Sequence, residues 1–318
     1  MGSEIRIMSI SYSVAIRSVR ANEFLNKTLE SLQNQTVLPN EIVIVIPDDV
    51  RPWDIAVPNV RFVNSVRGMV TQRSAGILAA KNNCLLLLDD DVVLSSNMAE
   101  VLISNIKDRK AACVLPYWAE GWPRKQFIKA YMAFWRMAIP QRKGGIRYSA
   151  GGGYFYPTQE PNESLETEGG SGAVIMIDRD FCVQHGCLGD MDLQAVSVYA
   201  LREDGAFILD ISRKGGLCLM VGGVNFEHLG GTTRLDPSRL EITYKAQVVN
   251  HYLFWKKYIY PQNSYRFVSK MNAKMLITRY MLGIILLACV VTVRSMSFQP
   301  VIGICSGFKY LLNFKNKI

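Results

Sequence analysis

The first 115 residues alternate short apolar runs with stretches whose apolar positions recur every three or four residues. Ile5 to Ile10 is one apolar run, and Phe24, Leu25, Thr28, Leu29 and Leu32 then fall on one helical face. Ile42 to Ile46 is a continuous run that closes on Pro47, Asp48 and Asp49. The rhythm repeats, predicting strands at Val60 to Val63, Cys84 to Leu88 and Ala111 to Leu115, with helices at Val70 to Lys81 and Ser96 to Ile106. Unbroken apolar strands separated by amphipathic helices are the pattern of parallel strands covered on both faces. The spacing therefore predicts an α/β fold built on an open, doubly wound, mostly parallel sheet.

The pattern breaks from Pro116 to Gly172, where Trp118, Trp122, Trp135 and Gly151-Gly152-Gly153 mark an insertion placed over a site. It resumes as a strand at Ala173 to Ile177, a helix at Asp204 to Lys214 stopped by Gly215 and Gly216, and a strand at Leu217 to Val221. The chain thus divides into a first half, 1–115, a second half with the insertion, 116–250, and a tail, 251–318.

Charge sets the tail apart. The net charge of the 318-residue chain is +9, yet no acidic residue follows Glu241, while Ile242 to Ile318 holds eleven Lys or Arg. Such a block suits nucleic acid or an anionic membrane surface. The uncharged aliphatic stretches Tyr280 to Val293 and Ser295 to Phe308 favour the membrane, so no nucleic-acid partner is expected. Tyr280 to Val293 has 14 residues, short of the roughly 20 that cross a bilayer. Basic residues on both flanks predict an interfacial helix or a short re-entrant hairpin. Seven cysteines without paired spacing fit reduced thiols, and the start of the chain lacks a signal-peptide pattern. The expected location is the cytoplasmic face of the cell membrane. Cys182, His185 and Cys187 lack a second ligand pair nearby and read as structural.

The densest chemistry is Leu85-Leu86-Leu87-Leu88-Asp89-Asp90-Asp91, a buried strand ending in three carboxylates. Crowded carboxylates repel unless a cation or donors compensate them. The carboxyl ends of strands in open α/β sheets are where ligands bind, and Mg²⁺ or Mn²⁺ takes one or two carboxylates plus phosphate oxygens. A metal–diphosphate site is the functional reading, and an acidic helix cap the bland one. His228, in Phe226-Glu227-His228-Leu229-Gly230-Gly231, could complete the metal's coordination, and Arg234 could approach a diphosphate. Arg73 either meets the diphosphate or pairs with the acidic edge.

Gln72-Arg73-Ser74-Ala75-Gly76, Leu85 to Asp91, Gly169-Gly170-Ser171-Gly172 and Arg202-Glu203-Asp204 stand in an order that resembles family-2 glycosyltransferases of the GT-A fold, over roughly residues 5–250. The resemblance implies a Rossmann-like nucleotide-sugar-binding half with a D-x-D motif at Asp89 and Asp91, the last of which touches Mg²⁺ or Mn²⁺. Asp48 or Asp49 would face the donor's base, and Ser11-Tyr12-Ser13 stands where the family shows a turn after its first strand. Asp204 would be the base of an inverting transfer, with Glu203 in support. Inversion needs a carboxylate to take the acceptor's proton while the diphosphate leaves from the opposite face. Gly169, Gly170 and Gly172 would let acceptor or donor approach the backbone, or simply form a tight loop before the Ala173 strand. The expected partners are a nucleotide-sugar donor, a glycan or lipid-linked glycan acceptor and the membrane surface. A sugar nucleotidyltransferase would carry its glycine-rich loop after the first strand, not at Gly230. A processive synthase would need further spanning helices. A non-enzymatic membrane-binding protein would leave the carboxylates without a shared purpose.

Overall fold

The computed structural model describes residues 11–196, 200–230, 239–263 and 266–315. The chain runs β1 (Tyr12–Arg17), α1 (Glu23–Gln33), β2 (Glu41–Pro47), β3 (Val60–Ser65), α2 (Met69–Ala79), β4 (Cys84–Asp89), β5 (Val92–Leu94), α3 (Met98–Asp108) and β6 (Cys113–Pro116). The insertion adds α4 (Gln126–Phe134), β7 (Ala138–Gln141), β8 (Arg147–Tyr148) and β9 (Tyr154–Pro157). Then follow β10 (Leu165–Glu166), β11 (Val174–Asp178), α5 (Arg179–Gln184), α6 (Glu203–Arg213), β12 (Cys218–Val221) and β13 (Phe226–His228). Helices α7 (Leu240–Phe254), α8 (Tyr260–Asn263), α9 (Phe267–Ser295) and α10 (Gln299–Lys315) complete the described chain.

Eight strands form the central sheet in the order β10-β12-β6-β11-β4-β1-β2-β3, with β10 and β11 antiparallel to their neighbours. Its middle strands are mostly apolar because helices cover both faces: β2 is buried from end to end, and Leu85, Leu86 and Ile175 have no exposed surface. Each such side chain contributes roughly 1.5–3 kcal/mol by leaving water. This α/β order agrees with the expected fold.

The first described strand begins at Tyr12. Tyr12 and Ser13 are not in a turn but inside β1, where Tyr12 Oη donates to Val37 O at 3.0 Å and Ser13 Oγ to Glu41 Oε1 at 2.6 Å. Polar atoms satisfied by the neighbouring segments let hydroxyl residues occupy a buried strand, which hides the apolar run from a sequence reading. The Ile5 to Ile10 run lies outside the described residues.

The tail differs from expectation in two ways. Helix α9 has 29 residues, more than the 14-residue uncharged stretch, and is long and apolar enough to cross a membrane by length and composition. A third of its apolar window is nevertheless buried in protein. Ala273, Ile277, Tyr280, Ile284 and Ala288 recur on one face and join α7, α10, Met137, Leu193 and Leu209 in a second core. The boundary at residue 250 therefore falls inside α7, and the tail is continuous with the second half.

Candidate functional site

β4 and β1 run parallel in the register Arg17↔Asp89, so the acidic triplet and a guanidinium emerge side by side at the carboxyl edge of the sheet. The chain then turns into β5, which pairs with β13 in the register Val92↔His228. This small ribbon delivers His228, whose Nε2 lies 2.9 Å from Asp91 Oδ1. That hydrogen bond raises the imidazole pKa above its ordinary value. One ligand atom from each of Asp89, Asp91 and His228 lies within 4.8 Å of the others. A side chain at Gly230 would place its Cβ 2.2 Å from Asp91 Oδ2, so any larger residue there would push the Asp91 carboxylate from its present position.

Asp90 points elsewhere. Ser18 Oγ donates to its Oδ2 at 2.5 Å, and burial, with the charges on Asp91 and Asp89, pushes its pKa up to about 6. Alternate carboxylates therefore converge while the middle one turns into the protein. The converging donors, two carboxylates and an imidazole, fit a hard divalent cation, whose charge would offset the crowding of Asp89 and Asp91.

Behind this cluster Glu203 is buried between two arginines. Arg17 Nη1 donates to its Oε1 at 3.1 Å, while Arg17 Nη2 holds Asp89 Oδ1. Arg73 Nη1 pairs with Glu203 Oε2. Burial and the charge of Arg17 lower the Arg73 pKa to about 9, which leaves it protonated at neutral pH. Arg73 is only 2% exposed, so it pairs with Glu203 beneath the surface and is not open to a diphosphate. Arg17, absent from the sequence expectations, is the tie between β1, β4 and α6.

Asp204 follows in the first turn of α6, with its Oδ1 accepting the Gly205 N–H at 2.7 Å. The N-cap is Arg202, held in the left-handed region at φ 72° and making no side-chain cap bond. Asp204 lines a cleft of about 250 Å³ walled by Trp118, Trp122, Tyr148, Tyr154 and Arg202 and floored by Gly170, Ser171 and Gly172. A Cβ at Gly172 would stand 2.7 Å from Asp204 Cβ, so this glycine admits the carboxylate itself. Gly169 lies off the cleft, against Tyr148 and Ile146, and does not meet an acceptor there. Trp118 joins cleft and acid cluster, with its ring edge-on to His228 at 5.9 Å between centroids.

The remaining expected residues sit apart. Asp48 and Asp49 follow β2, two strands from β4 on the same sheet edge, with Asp49 paired to Arg67 at 2.8 Å. Arg234 lies outside the described residues. Sequence reasoning placed Arg202 in its motif without a role and gave Tyr280 none; Arg202 Nη2 donates to the Tyr280 hydroxyl across 78 positions of chain.

A mostly parallel sheet bearing a metal-capable acid cluster at its carboxyl edge, beside an aromatic cleft with a carboxylate in its wall, defines the GT-A class. Residues 13–160 match the family model described as "Glycosyl transferase family 2". No curated protein matches the chain by sequence. Among solved structures, the chain is similar to GalNAc-T7 crystallised with UDP, GalNAc and Mn²⁺, at a TM-score of 0.54 and 18% identity, covering 90% of this chain. It spans 58% of the length of that protein. The S. aureus TarS 1–349 structure is also similar, at a TM-score of 0.49 and 11% identity, covering 86% of this chain and 71% of that one.

Proposed function

We propose that this chain is an inverting, divalent-metal-dependent glycosyltransferase that moves a sugar from a nucleoside diphosphate onto an acceptor hydroxyl. The observation that carries the reading is the pairing of two separate acid sites. Asp89, Asp91 and His228 converge at the sheet edge, and Asp204 stands alone in the adjoining cleft. Asp89, Asp91 and His228 would hold Mg²⁺ or Mn²⁺, which when bound neutralises the charge of the departing diphosphate.

Asp204 removes the acceptor hydroxyl's proton as that oxygen bonds to the anomeric carbon and the bond to the diphosphate oxygen breaks. Glu203, clamped by Arg17 and Arg73, fixes the start of α6 and so the position of its neighbour. Asp48 and Asp49 lie where the nucleoside would extend along the sheet edge. The aromatic walls of the cleft offer flat faces to sugar rings.

The acceptor is a glycan or lipid-linked glycan in cell-surface polysaccharide or glycolipid assembly, met at the cytoplasmic face of the membrane. Support for this placement is the exposure of Phe267, Val268, Met296 and Phe298 on a segment that holds only basic charge.

Two measurements test the reading. UDP or GDP binding to the full chain should need Mn²⁺ or Mg²⁺ and weaken by about 10- to 100-fold in Asp91→Ala, since Asp91 would be one of the residues holding the ion. Equal binding in chelator would overturn the metal role. The chain should co-sediment with vesicles containing phosphatidylserine and detach as salt is raised; a chain left in the supernatant at low salt contradicts the membrane placement.

A further inference from the structure

Three buried or half-buried arginines surround the base, and their partners differ. Arg17 holds Asp89 and Glu203, and Arg73 holds Glu203. Arg202 reaches no carboxylate at ion-pair distance among the described residues. Its guanidinium donates to the Tyr280 hydroxyl and lies 5.8 Å from the Tyr154 ring centre and 5.7 Å from that of Tyr280. Ring faces attract a cation but do not neutralise it. The charge opens into the cleft that Asp204 lines.

The setting of Arg202 is built, not incidental. Its backbone takes the left-handed conformation, φ 72°, that residues with a Cβ rarely adopt. Tyr280 is fixed in turn by stacking on His251, 3.6 Å between ring centres and 6° from parallel, and His251 Nε2 contacts Gly151 O at 3.0 Å. Helix α9 thus locks the position of a cation that no anion among the described residues pairs with. A guanidinium in a partly dehydrated pocket pairs most strongly with a carboxylate or phosphate, through parallel N–H···O bonds.

We infer that Arg202 recognises an anionic group on the acceptor, so that the glycosyl acceptor is an acidic glycan or a phosphate-bearing glycan. This deepens the glycosyltransferase reading and rests on it. The carboxylate of a uronic acid and the phosphate of a phosphosugar share the required chemistry, and neutral sugars lack it.

The test uses the full chain with Mn²⁺ and UDP or GDP, whichever binds, and titrates three probes: a glucuronic-acid disaccharide, glucose 6-phosphate and a neutral glucose disaccharide. At least one anionic probe should bind 10-fold or more tightly than the neutral one. Arg202→Gln should erase that difference, and Arg202→Lys should retain part of it, with nucleotide binding unchanged in both. The stronger anionic probe identifies the source of the charge. Equal binding of all three probes, no binding of either anionic probe, or an unchanged preference in Arg202→Gln would overturn the inference. Loss of nucleotide binding in Arg202→Gln would also overturn it, by assigning Arg202 to the donor or the fold. Tyr280→Phe keeps the core and removes the hydroxyl; it should weaken the anionic preference alone. Nucleotide binding by the unmutated protein reports separately on the glycosyltransferase reading.

Discussion

In the proposed reading the site has a donor wall, the acid cluster at the sheet edge, and an acceptor wall, the cleft beside it, and the two are held by different forces. On the donor side, Arg17, Asp89 and His228 stand at the ends of paired strands, and the ladder of backbone hydrogen bonds fixes their register. On the acceptor side, Tyr148, Tyr154, Arg202 and Tyr280 come from two short strands, a helix start and a distant helix, and meet through side chains. A ladder sets position whatever the side chains are, whereas a packed side-chain cluster changes with each member. The donor wall is thus a property of the sheet and the acceptor wall one of packing. Glu203 is the hinge between them, because Arg17 reaches it from the sheet and Asp204 follows it in the chain.

Separating the two walls is the largest test. Asp204→Asn should lower transfer by about 10²- to 10⁴-fold while metal-dependent nucleotide binding stays near normal; near-normal transfer at saturating donor and acceptor would return Asp204 to a structural role. Breaking the hinge comes next. Glu203→Gln leaves Arg73 buried without a charge partner and should cost about 3 kcal/mol in urea unfolding, because an unpaired buried ion is strongly unfavourable. An unchanged midpoint would show that the clamp is not needed for stability.

The smallest effect belongs to the acceptor wall and acid. Burial and the charge of Arg202 hold the His251 pKa well below its ordinary value. The folded protein keeps this ring neutral, while the unfolded chain binds a proton below about pH 6.5. More protons in the unfolded state mean that stability falls as pH drops through that range, by at most about 1.4 kcal/mol per pH unit for one group. Thermal unfolding between pH 7 and 5.5 should show the decline, and His251→Gln should flatten it.

The donor wall was the more legible in the sequence. A run of four leucines ending in three aspartates marks a buried strand and a candidate site together; the strand stands where expected, and Asp89 and Asp91 converge at its end. Glu203 and Asp204 were visible through resemblance, yet nothing in their spacing shows that one is clamped and the other faces a cleft. Arg17 was hidden because a single charge after a short apolar strand looks like ordinary solvent exposure. Arg202 and Tyr280 were hidden more deeply, since their pairing spans 78 positions and follows no period. Helix α9 read short because Arg279 interrupts its apolar run, with Lys274 and Lys270 further back; the buried face passes through Ala273 and Ile277 instead.

The bond from Arg202 to Tyr280 also sets an order of events during synthesis. The strands of the central sheet end at Val221, and N-terminal segments begin to fold while later ones are still being added. A nascent chain can therefore complete its nucleotide-facing edge many residues before Tyr280 leaves the ribosome. Until then Arg202 lacks the hydroxyl that aims it. In the proposed reading, the half-made protein would hold its donor before it could choose where to deliver the sugar.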